Sequence, residues 1–210
     1  MPFPYGICYM STDDGTREQY RLGILVSHRG SNFQAIIDAC EAGYINAKVV
    51  VAISNNSQSI GLERARTADI PAYHLSSKTH PKATELDDAI LGILLSHEVD
   101  LVVTAGYMKK LGKKTLHQYQ RRIINVHPSL LPKYGGQGMF GMKVHKAVLE
   151  SADTETGITV HYLDGNYDTG EIISQLRLPV KPEDTAESLA ARVLPQEHKL
   201  LVDTLKELTG

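Results

Sequence analysis

The stretch LGILVSHRGSNFQAIIDACEA (residues 22–42) has the form of a buried strand that leads through a glycine turn into a helix. Leu22–Val26 is a short, continuous apolar run, which is typical of a strand covered on both faces. Across Phe33–Ala42, apolar residues recur at helical spacing. Gly30 lies in the turn between the two and is followed by a serine and an asparagine, residue types that often begin helices. The stretch therefore predicts the first half of a βαβ unit.

The same alternation of strand and helix patterns continues along the chain. Three further short apolar runs are interpreted as strands, at Val49–Ile53, Leu101–Thr104 and Ile123–Val126. Helical patterns are found at Leu62–Ala68, Leu86–His97 and Lys113–Tyr119. Strands that alternate with helices form parallel sheets with helices on both faces. The fold class is therefore predicted to be α/β, with a mostly parallel sheet flanked by helices.

The last third of the sequence has a different pattern. Gly157–Leu163 and Glu171–Pro179 have the composition of strands, and the turn-rich Asp164–Gly170 joins them. This arrangement predicts a hairpin added to the parallel sheet. A final amphipathic helix is expected over residues 185–208, where Pro195 should kink or split it.

Charge and cysteine content restrict the class of protein. The chain has 22 Lys and Arg against 24 Asp and Glu, so we expect no basic surface for nucleic acid. No apolar run reaches membrane-spanning length, and no membrane association is expected. Cys8 and Cys40 lack disulfide or metal spacing, which favours a reducing compartment, the cytoplasm. Residues 1–20 are interpreted as a polar, disordered leader, and residues 21–210 as one domain.

Gly30, Ser31 and Asn32 could bind a phosphate. A strand–glycine–helix junction leaves N–H groups free at the positive end of a helix dipole, where an anion is stabilised. The junction lacks the spacing of a dinucleotide fingerprint or a P-loop. An ordinary capped helix would have the same sequence, so both interpretations stay open.

Asn125 and His127 are candidates for acyl-transfer chemistry. Residues two apart in a strand point to the same side, and the carboxyl end of a parallel strand is where α/β sheets bind ligands. An amide and an imidazole at this place could stabilise an oxyanion. Asp168, in the hairpin turn, would raise the imidazole pKa above its usual value if it reached His127. A polar strand end with satisfied hydrogen bonds is the alternative.

The remaining polar residues predict no further chemistry. The other histidines show no metal-ligand clustering, so no metal is expected. No serine lies in a nucleophile-elbow context. The glycine-rich segment GGQGMFGM (residues 135–142) is interpreted as a plain surface loop, with a ligand-lining loop as the alternative.

Several motifs occur in the order that they have in one enzyme family. They are GSN at Gly30–Asn32, FQAIIDAC at Phe33–Cys40, SNN at Ser54–Asn56, GLERA at Gly61–Ala65, AGYMKKL at Ala105–Leu111, INVHPSLLPKY at Ile124–Tyr134 and QEH at Gln196–His198. Together they resemble the folate-dependent formyltransferase superfamily, and within it the branch that acts on glycinamide ribonucleotide. The resemblance runs from Arg21 nearly to the C-terminus and implies a single-domain, Rossmann-like formyltransferase fold.

The resemblance also implies an activity and a set of site residues. The formyl group of the co-substrate 10-formyltetrahydrofolate would pass to the amine of glycinamide ribonucleotide, a reaction of purine synthesis. The implied catalytic residues are Asn125, His127 and Asp168. The implied ribonucleotide site is Gly30, Ser31, Asn32 and Glu197. The implied folate site is Lys82, Met108, Lys109, Lys110, Leu111 and Asn125, with Lys82 where the family usually has an arginine. The implied partners are these two small molecules, and a monomer or weak homodimer is expected.

Three alternatives remain at the level of the sequence. Formyltetrahydrofolate deformylase uses similar residues with water as acceptor, and normally has an additional N-terminal domain. Methionyl-tRNA formyltransferase usually has a basic C-terminal domain. A folate- or nucleotide-binding module without catalysis is the third, and the intact Asn125, His127 and Asp168 argue against it.

Overall fold

The computed structural model describes residues 19–210, so the expectations for Cys8 and for nearly all of the leader lie outside the described residues. The strands are β1 Tyr20–Val26, β2 Ala47–Ser54, β3 Ala72–His74, β4 Leu101–Thr104, β5 Ile123–His127, β6 Glu155–Tyr162 and β7 Ile172–Pro179. The helices are α1 Ser31–Glu41, α2 Ile60–Thr67, α3 Ala83–Ser96, α4 Lys113–Gln118, α5 Met142–Glu150 and α6 Ala186–Thr209.

These strands form one sheet in the order β3-β2-β1-β4-β5-β6-β7. The neighbours from β3 to β5 are parallel, whereas β6 and β7 are added antiparallel. The predicted mostly parallel sheet with an added hairpin is therefore confirmed. After β1, the chain forms β2 and β3 on one side of this strand, and it then crosses to form β4 on the other side. Such a reversal opens a crevice at the carboxyl ends of the two central strands, which is where α/β sheets bind ligands.

Both faces of the sheet are covered, which explains the continuous apolar run of β1. Ile24 packs into one buried cluster together with Phe33 of α1, and Leu25 packs into a second cluster with Leu94 of α3. Ile24, Leu25, Phe33 and Leu94 are all fully buried. A strand with a helical layer on each face needs apolar residues at every position. The central strands are thereby fixed in place, and with them the loops at their carboxyl ends.

Three local features differ from the expectations. The three-residue edge strand β3 was not predicted, because so short a segment has no readable pattern. Helix α5 was also missed, although Val144 and Val148 are buried one turn apart on it. Pro195 does not split the last helix, since the 24-residue α6 continues past it and packs against α1, α5 and β6.

None of the helices between residues 19 and 210 has the length and apolar character needed to cross a membrane.

Candidate active site

A cavity of about 490 Å³ lies at the carboxyl ends of β1, β4 and β5. Its walls include Ser31 and Asn32 after β1, Tyr107 and Met108 after β4, and the end of β5 from Asn125 to Pro128. Segment 136–142, the start of α5, the hairpin turn with Asp168, and α6 complete the enclosure. The volume is in the range typical of small-molecule sites. The glycine-rich segment thus lies at the surface and also lines the cavity, which agrees with the alternative of a ligand-lining loop.

The pairing of β5 with its neighbours brings the side chains of the site together. Asn125 lies opposite Thr104 of β4 and opposite His161 of β6. The Thr104 hydroxyl donates to Oδ1 of Asn125 at 2.7 Å. Nδ2 of Asn125 lies 3.1 Å from Nε2 of His161. The amide of Asn125 is therefore held from both of its ends.

The tautomer of His161 follows from its second contact. Nδ1 of His161 lies 2.9 Å from the carbonyl oxygen of Tyr162, which can only accept, so Nδ1 carries the hydrogen. Nε2 is then the acceptor for the amide of Asn125. One of the two amide hydrogens of Asn125 is used in this contact, and the other has no hydrogen-bond partner among residues 19–210, so a ligand in the cavity can accept it.

Asp168 reaches the two histidines from the hairpin turn. Its Oδ2 lies 3.7 Å from Nδ1 of His127 and accepts a hydrogen bond from the N–H of Gly136 at 2.9 Å. Its Oδ1 lies 3.7 Å from Nε2 of His161. Burial favours the protonated carboxyl, but the imidazolium forms of His161 and His127, together with the N–H of Gly136, outweigh it and hold the pKa of Asp168 below its ordinary value. The carboxylate is therefore ionised at neutral pH.

The side chain of His127 is buried at the end of β5. Its Nε2 donates to the carbonyl oxygen of Tyr134 at 2.8 Å, which leaves Nδ1 on the side of Asp168. Burial lowers the pKa of His127 below its ordinary value of 6.5, although Asp168 and the Tyr134 carbonyl act in the opposite direction. Asp168 thus raises this pKa, as expected, but the expectation of a net value above 6.5 is wrong, because burial outweighs the carboxylate. Since the residue is only 4% exposed, the cost of charging the ring outweighs the attraction of the carboxylate.

The loop between β1 and α1 forms another part of the cavity wall. Gly30 has the left-handed angles φ 64° and ψ 38° and begins α1 without a side-chain cap. Within the described part of the chain, the first N–H groups of α1 thus have no side-chain partner, at the end of the helix where an anion is stabilised. Ser31 and Asn32 line the cavity. Gly30 sets the turn that presents them.

Glu197, on α6, meets this loop from the opposite wall. Its carboxylate accepts a hydrogen bond from the side-chain amide of Asn32. Burial raises the pKa of Glu197 to about 7, even though the hydrogen bond from Asn32 lowers it. The structure therefore brings together two segments that are far apart in the sequence and that the resemblance assigns to one substrate.

The segment after β4 spans two adjoining cavities. Met108 lines the large one, and its N–H donates to Oγ of Ser27 at 2.7 Å. A smaller cavity of about 80 Å³ has Lys109, Lys110 and Leu111 on its wall and shares Asn125 and Asp168 with the large one. The ammonium group of Lys110 lies 4.6 Å from the ring centre of Tyr167. These residues thus lie on a cavity that Asn125 and Asp168 also line.

Lys82 is placed differently from the other predicted folate residues. It precedes α3, its side chain is 76% exposed, and its ammonium group pairs with Glu85 at 2.8 Å. It lines neither of the two cavities.

Sequence reasoning missed two histidines of the site. His161 could have been found from the alignment of β5 against β6, since it faces Asn125 across the antiparallel ladder. His145, on α5, lines the large cavity and is 5% exposed. Its only sequence signal was its position one residue after a buried valine in an unrecognised helix.

Among the described residues, no group of His, Cys, Asp or Glu has the arrangement of a metal site.

Comparison with known proteins assigns the class. The profile of the family described as formyl transferase matches residues 20–205, and the chain belongs to this family. It is 40% identical to the phosphoribosylglycinamide formyltransferase of Haemophilus influenzae, over 90% of this chain and 87% of that protein. It is 42% identical to the chloroplastic phosphoribosylglycinamide formyltransferase of Vigna unguiculata over 92% of this chain, which spans 62% of that relative's length. The crystal structure of glycinamide ribonucleotide transformylase 1 from Geobacillus kaustophilus matches with a TM-score of 0.85 and 34% identity, covering 91% of this chain and 100% of that one.

Proposed function

We propose that this protein transfers the formyl group of 10-formyltetrahydrofolate to the amine of glycinamide ribonucleotide, a step of purine biosynthesis. The observation that carries the proposal is the convergence of Asn125, His127 and Asp168 on one cavity that also includes the start of α1. Such a cavity offers a place for an anionic substrate beside groups suited to acyl transfer. The names of the relatives given above agree with this choice.

The ribonucleotide is proposed to lie between α1 and α6. Its phosphate would meet the uncapped N–H groups at the start of α1, behind the left-handed Gly30, with Ser31 and Asn32 beside it. Glu197 would contact the neutral, hydroxyl-bearing part of the same molecule. The amine would then point toward the end of β5. The phosphate and the amine would thus lie on opposite sides of the cavity.

The folate is proposed to enter from the side of the smaller cavity. Leu111 on the smaller cavity and Met108 on the adjoining large one offer apolar surface, and the ammonium groups of Lys109 and Lys110 suit a carboxylate. Asn125 borders both cavities, so the formyl carbon would lie next to its amide. The resemblance implies a contact of Lys82 with this substrate. Because Lys82 is exposed and lies outside both cavities, we propose that it contacts only the outer part of the folate.

The chemistry begins with the neutral imidazole that burial favours. The acceptor amine attacks the formyl carbon, and the carbonyl oxygen becomes an oxyanion that takes the free amide hydrogen of Asn125. A proton of the attacking amine passes to Nδ1 of His127, which becomes a cation beside Asp168 and stabilises the same oxyanion. When the bond to the folate nitrogen breaks, this proton passes to that nitrogen. Since no enzyme acyl intermediate forms, no serine or cysteine nucleophile is needed.

We also propose that the protein acts in the cytoplasm as a monomer or weak homodimer. The separation of its two cysteines in the sequence supports a reducing compartment. Light scattering across a hundredfold range of protein concentration would test the second part, because a weak dimer dissociates on dilution.

One assay separates the proposed transferase from its rivals. Release of tetrahydrofolate from 10-formyltetrahydrofolate is followed with and without glycinamide ribonucleotide. A transferase requires the ribonucleotide, whereas a deformylase releases the folate at the same rate without it. A binding module releases none, and a transferase for tRNA is inactive until charged initiator tRNA is supplied. Only dependence on the ribonucleotide agrees with the proposal.

A further inference from the structure

His145 is a buried histidine that the proposed chemistry leaves unused. It lies in the first turn of α5, lines the large cavity, and is 5% exposed. Its Nδ1 is fully buried and has no hydrogen-bond partner among residues 19–210. The large majority of buried side-chain nitrogens do have such a partner, in the protein or in bound water. Because Nδ1 has no accessible surface, a ligand in the cavity can meet only the other ring nitrogen, Nε2, which is not among the fully buried nitrogens and has no hydrogen-bond partner among residues 19–210.

The position of His145 relates it to the reacting end of the cavity. His127 and His145 line the same cavity, and α5 begins directly after the segment 136–141, which also lines it. Burial, and then His127, lower the pKa of His145 below its ordinary value. The ring is therefore neutral at pH 7, with one nitrogen that donates and one that accepts. A neutral ring suits an uncharged N–H group better than a phosphate.

We propose that His145 is a further substrate-binding residue, whose imidazole hydrogen-bonds the amine-bearing amide end of the acceptor. This inference rests on the proposed function and adds to it a contact that orients the nucleophile. The phosphate at α1 would fix one end of the acceptor, and His145 would fix the other, beside Asn125 and His127. A substrate held at both ends loses the freedom to turn its amine away from the formyl carbon.

Steady-state kinetics of three variants test the assignment. His145→Ala should raise the KM for glycinamide ribonucleotide about tenfold, which corresponds to about 1.4 kcal/mol. The KM for 10-formyltetrahydrofolate should change less than about twofold. His145→Gln, which can still accept and donate a hydrogen bond, should recover most of the loss. Val148→Ala, a buried position on the same helix outside the cavity, controls for a loosened α5. It should leave both KM values near those of the wild type.

The outcomes that overturn the proposal are equally definite. An unchanged acceptor KM in His145→Ala, or an equal rise in both KM values, would show that His145 acts through packing alone. A loss in His145→Gln as large as that in His145→Ala would exclude the hydrogen bond. If the wild type formylates glycinamide ribonucleotide while His145→Ala behaves normally, only this inference fails. If the wild type does not formylate it, the proposed function fails.

A measurement on the wild-type protein covers the case in which the variants fold poorly. In ¹⁵N-histidine-labelled protein, the ring nitrogens of His145 should shift when glycinamide ribonucleotide is added without folate. Inorganic phosphate alone, which can occupy only the anion site, should leave them in place. No shift at a concentration of the ribonucleotide that saturates other signals would refute the contact.

Discussion

The carboxylate of Asp168 lies 3.7 Å from Nδ1 of His127; the histidine side chain is buried, at 5% exposure, and that of Asp168 is partly buried, at 11%. Two opposite effects meet in this pair. The carboxylate favours the imidazolium, whereas burial favours the neutral ring, and burial prevails. In the proposed reaction, the histidine begins as a neutral base, and Asp168 then stabilises it as the protonated acid. A group that takes a proton from an amine and then gives it to a leaving group must pass through these two states.

The first prediction concerns the pKa of His127. NMR titration should give a value below 6.5 in the wild type and a lower one in Asp168→Asn, because the variant removes the charge that favours the imidazolium. The pKa of the folded state lies below that of the unfolded state, so the unfolded state binds more protons. This group therefore lowers the stability of the fold as pH falls below about 6.5. Equal values in the two proteins would mean that the carboxylate does not act on the ring.

A second prediction concerns the phosphate loop. Gly30→Ala places a Cβ 3.0 Å from the Cα of Gly61 and forces alanine to φ +64°. We expect a KM for glycinamide ribonucleotide raised at least tenfold and a nearly normal KM for the folate. Gly43→Ala is the matched control, since Gly43 has φ +65° and open space around its Cβ. Each change costs about 1–2 kcal/mol in stability from the left-handed backbone. If both variants gave the same kinetics, the loop would not bind the phosphate.

Glu197 should make stability depend on pH. Its pKa is about 7 in the fold against 4.5 ordinarily, so the folded state keeps a proton that the unfolded state loses. The resulting stability is present at pH 4.5 and is lost as pH rises through about 7. Glu197→Gln keeps an acceptor for Asn32 and should raise the free energy of unfolding at pH 8 by about 1–3 kcal/mol. Urea denaturation at both pH values measures this.

The control for that experiment is Glu187→Gln, an exposed position in the first turn of the same helix. It should show no comparable gain at pH 8. A gain in Glu187→Gln that equals the gain in Glu197→Gln would assign the effect to net charge and not to burial.

Asp87 should be the more important of two adjacent aspartates on α3. Its buried carboxylate accepts from the N–H of Lys114 at 2.8 Å and from the hydroxyl of Thr115 at 2.6 Å, and thereby holds the first turn of α4. Asp87→Ala should reduce the free energy of unfolding by about 2–4 kcal/mol, since these bonds involve a charged, buried acceptor. Asp88→Ala removes only an exposed ion pair with Lys114 and should cost less than about 1 kcal/mol. Similar losses in the two variants would contradict this assignment.

Local sequence patterns predicted the features that depend on neighbouring residues. The turn at Gly30 and the common side of Asn125 and His127 both follow from backbone geometry over a few positions. The proximity of Asp168 to His127 depends on a hairpin that folds back 41 residues later, which spacing alone cannot predict. The contact of His161 with Asn125 became visible only with the pairing of β5 and β6.

Burial was the quantity that local patterns predicted least well. The direction of the His127 pKa depends on how completely the sheet, segment 136–142 and the Asp168 turn exclude water from the ring. These elements come from separate parts of the chain, and no single segment encodes their joint effect. His145 was overlooked for the same reason, since its place on the cavity wall depends on the docking of α5 against α6.

The most direct test of the account follows an isotopically labelled formyl group from 10-formyltetrahydrofolate, in the wild type and in Asn125→Ala and His127→Ala. The label should appear on the amine of glycinamide ribonucleotide in step with folate release. The loss of either side chain should lower kcat by about 10²–10³-fold in folded protein. Label released as formate irrespective of the acceptor, or wild-type transfer in both variants, would contradict this mechanism.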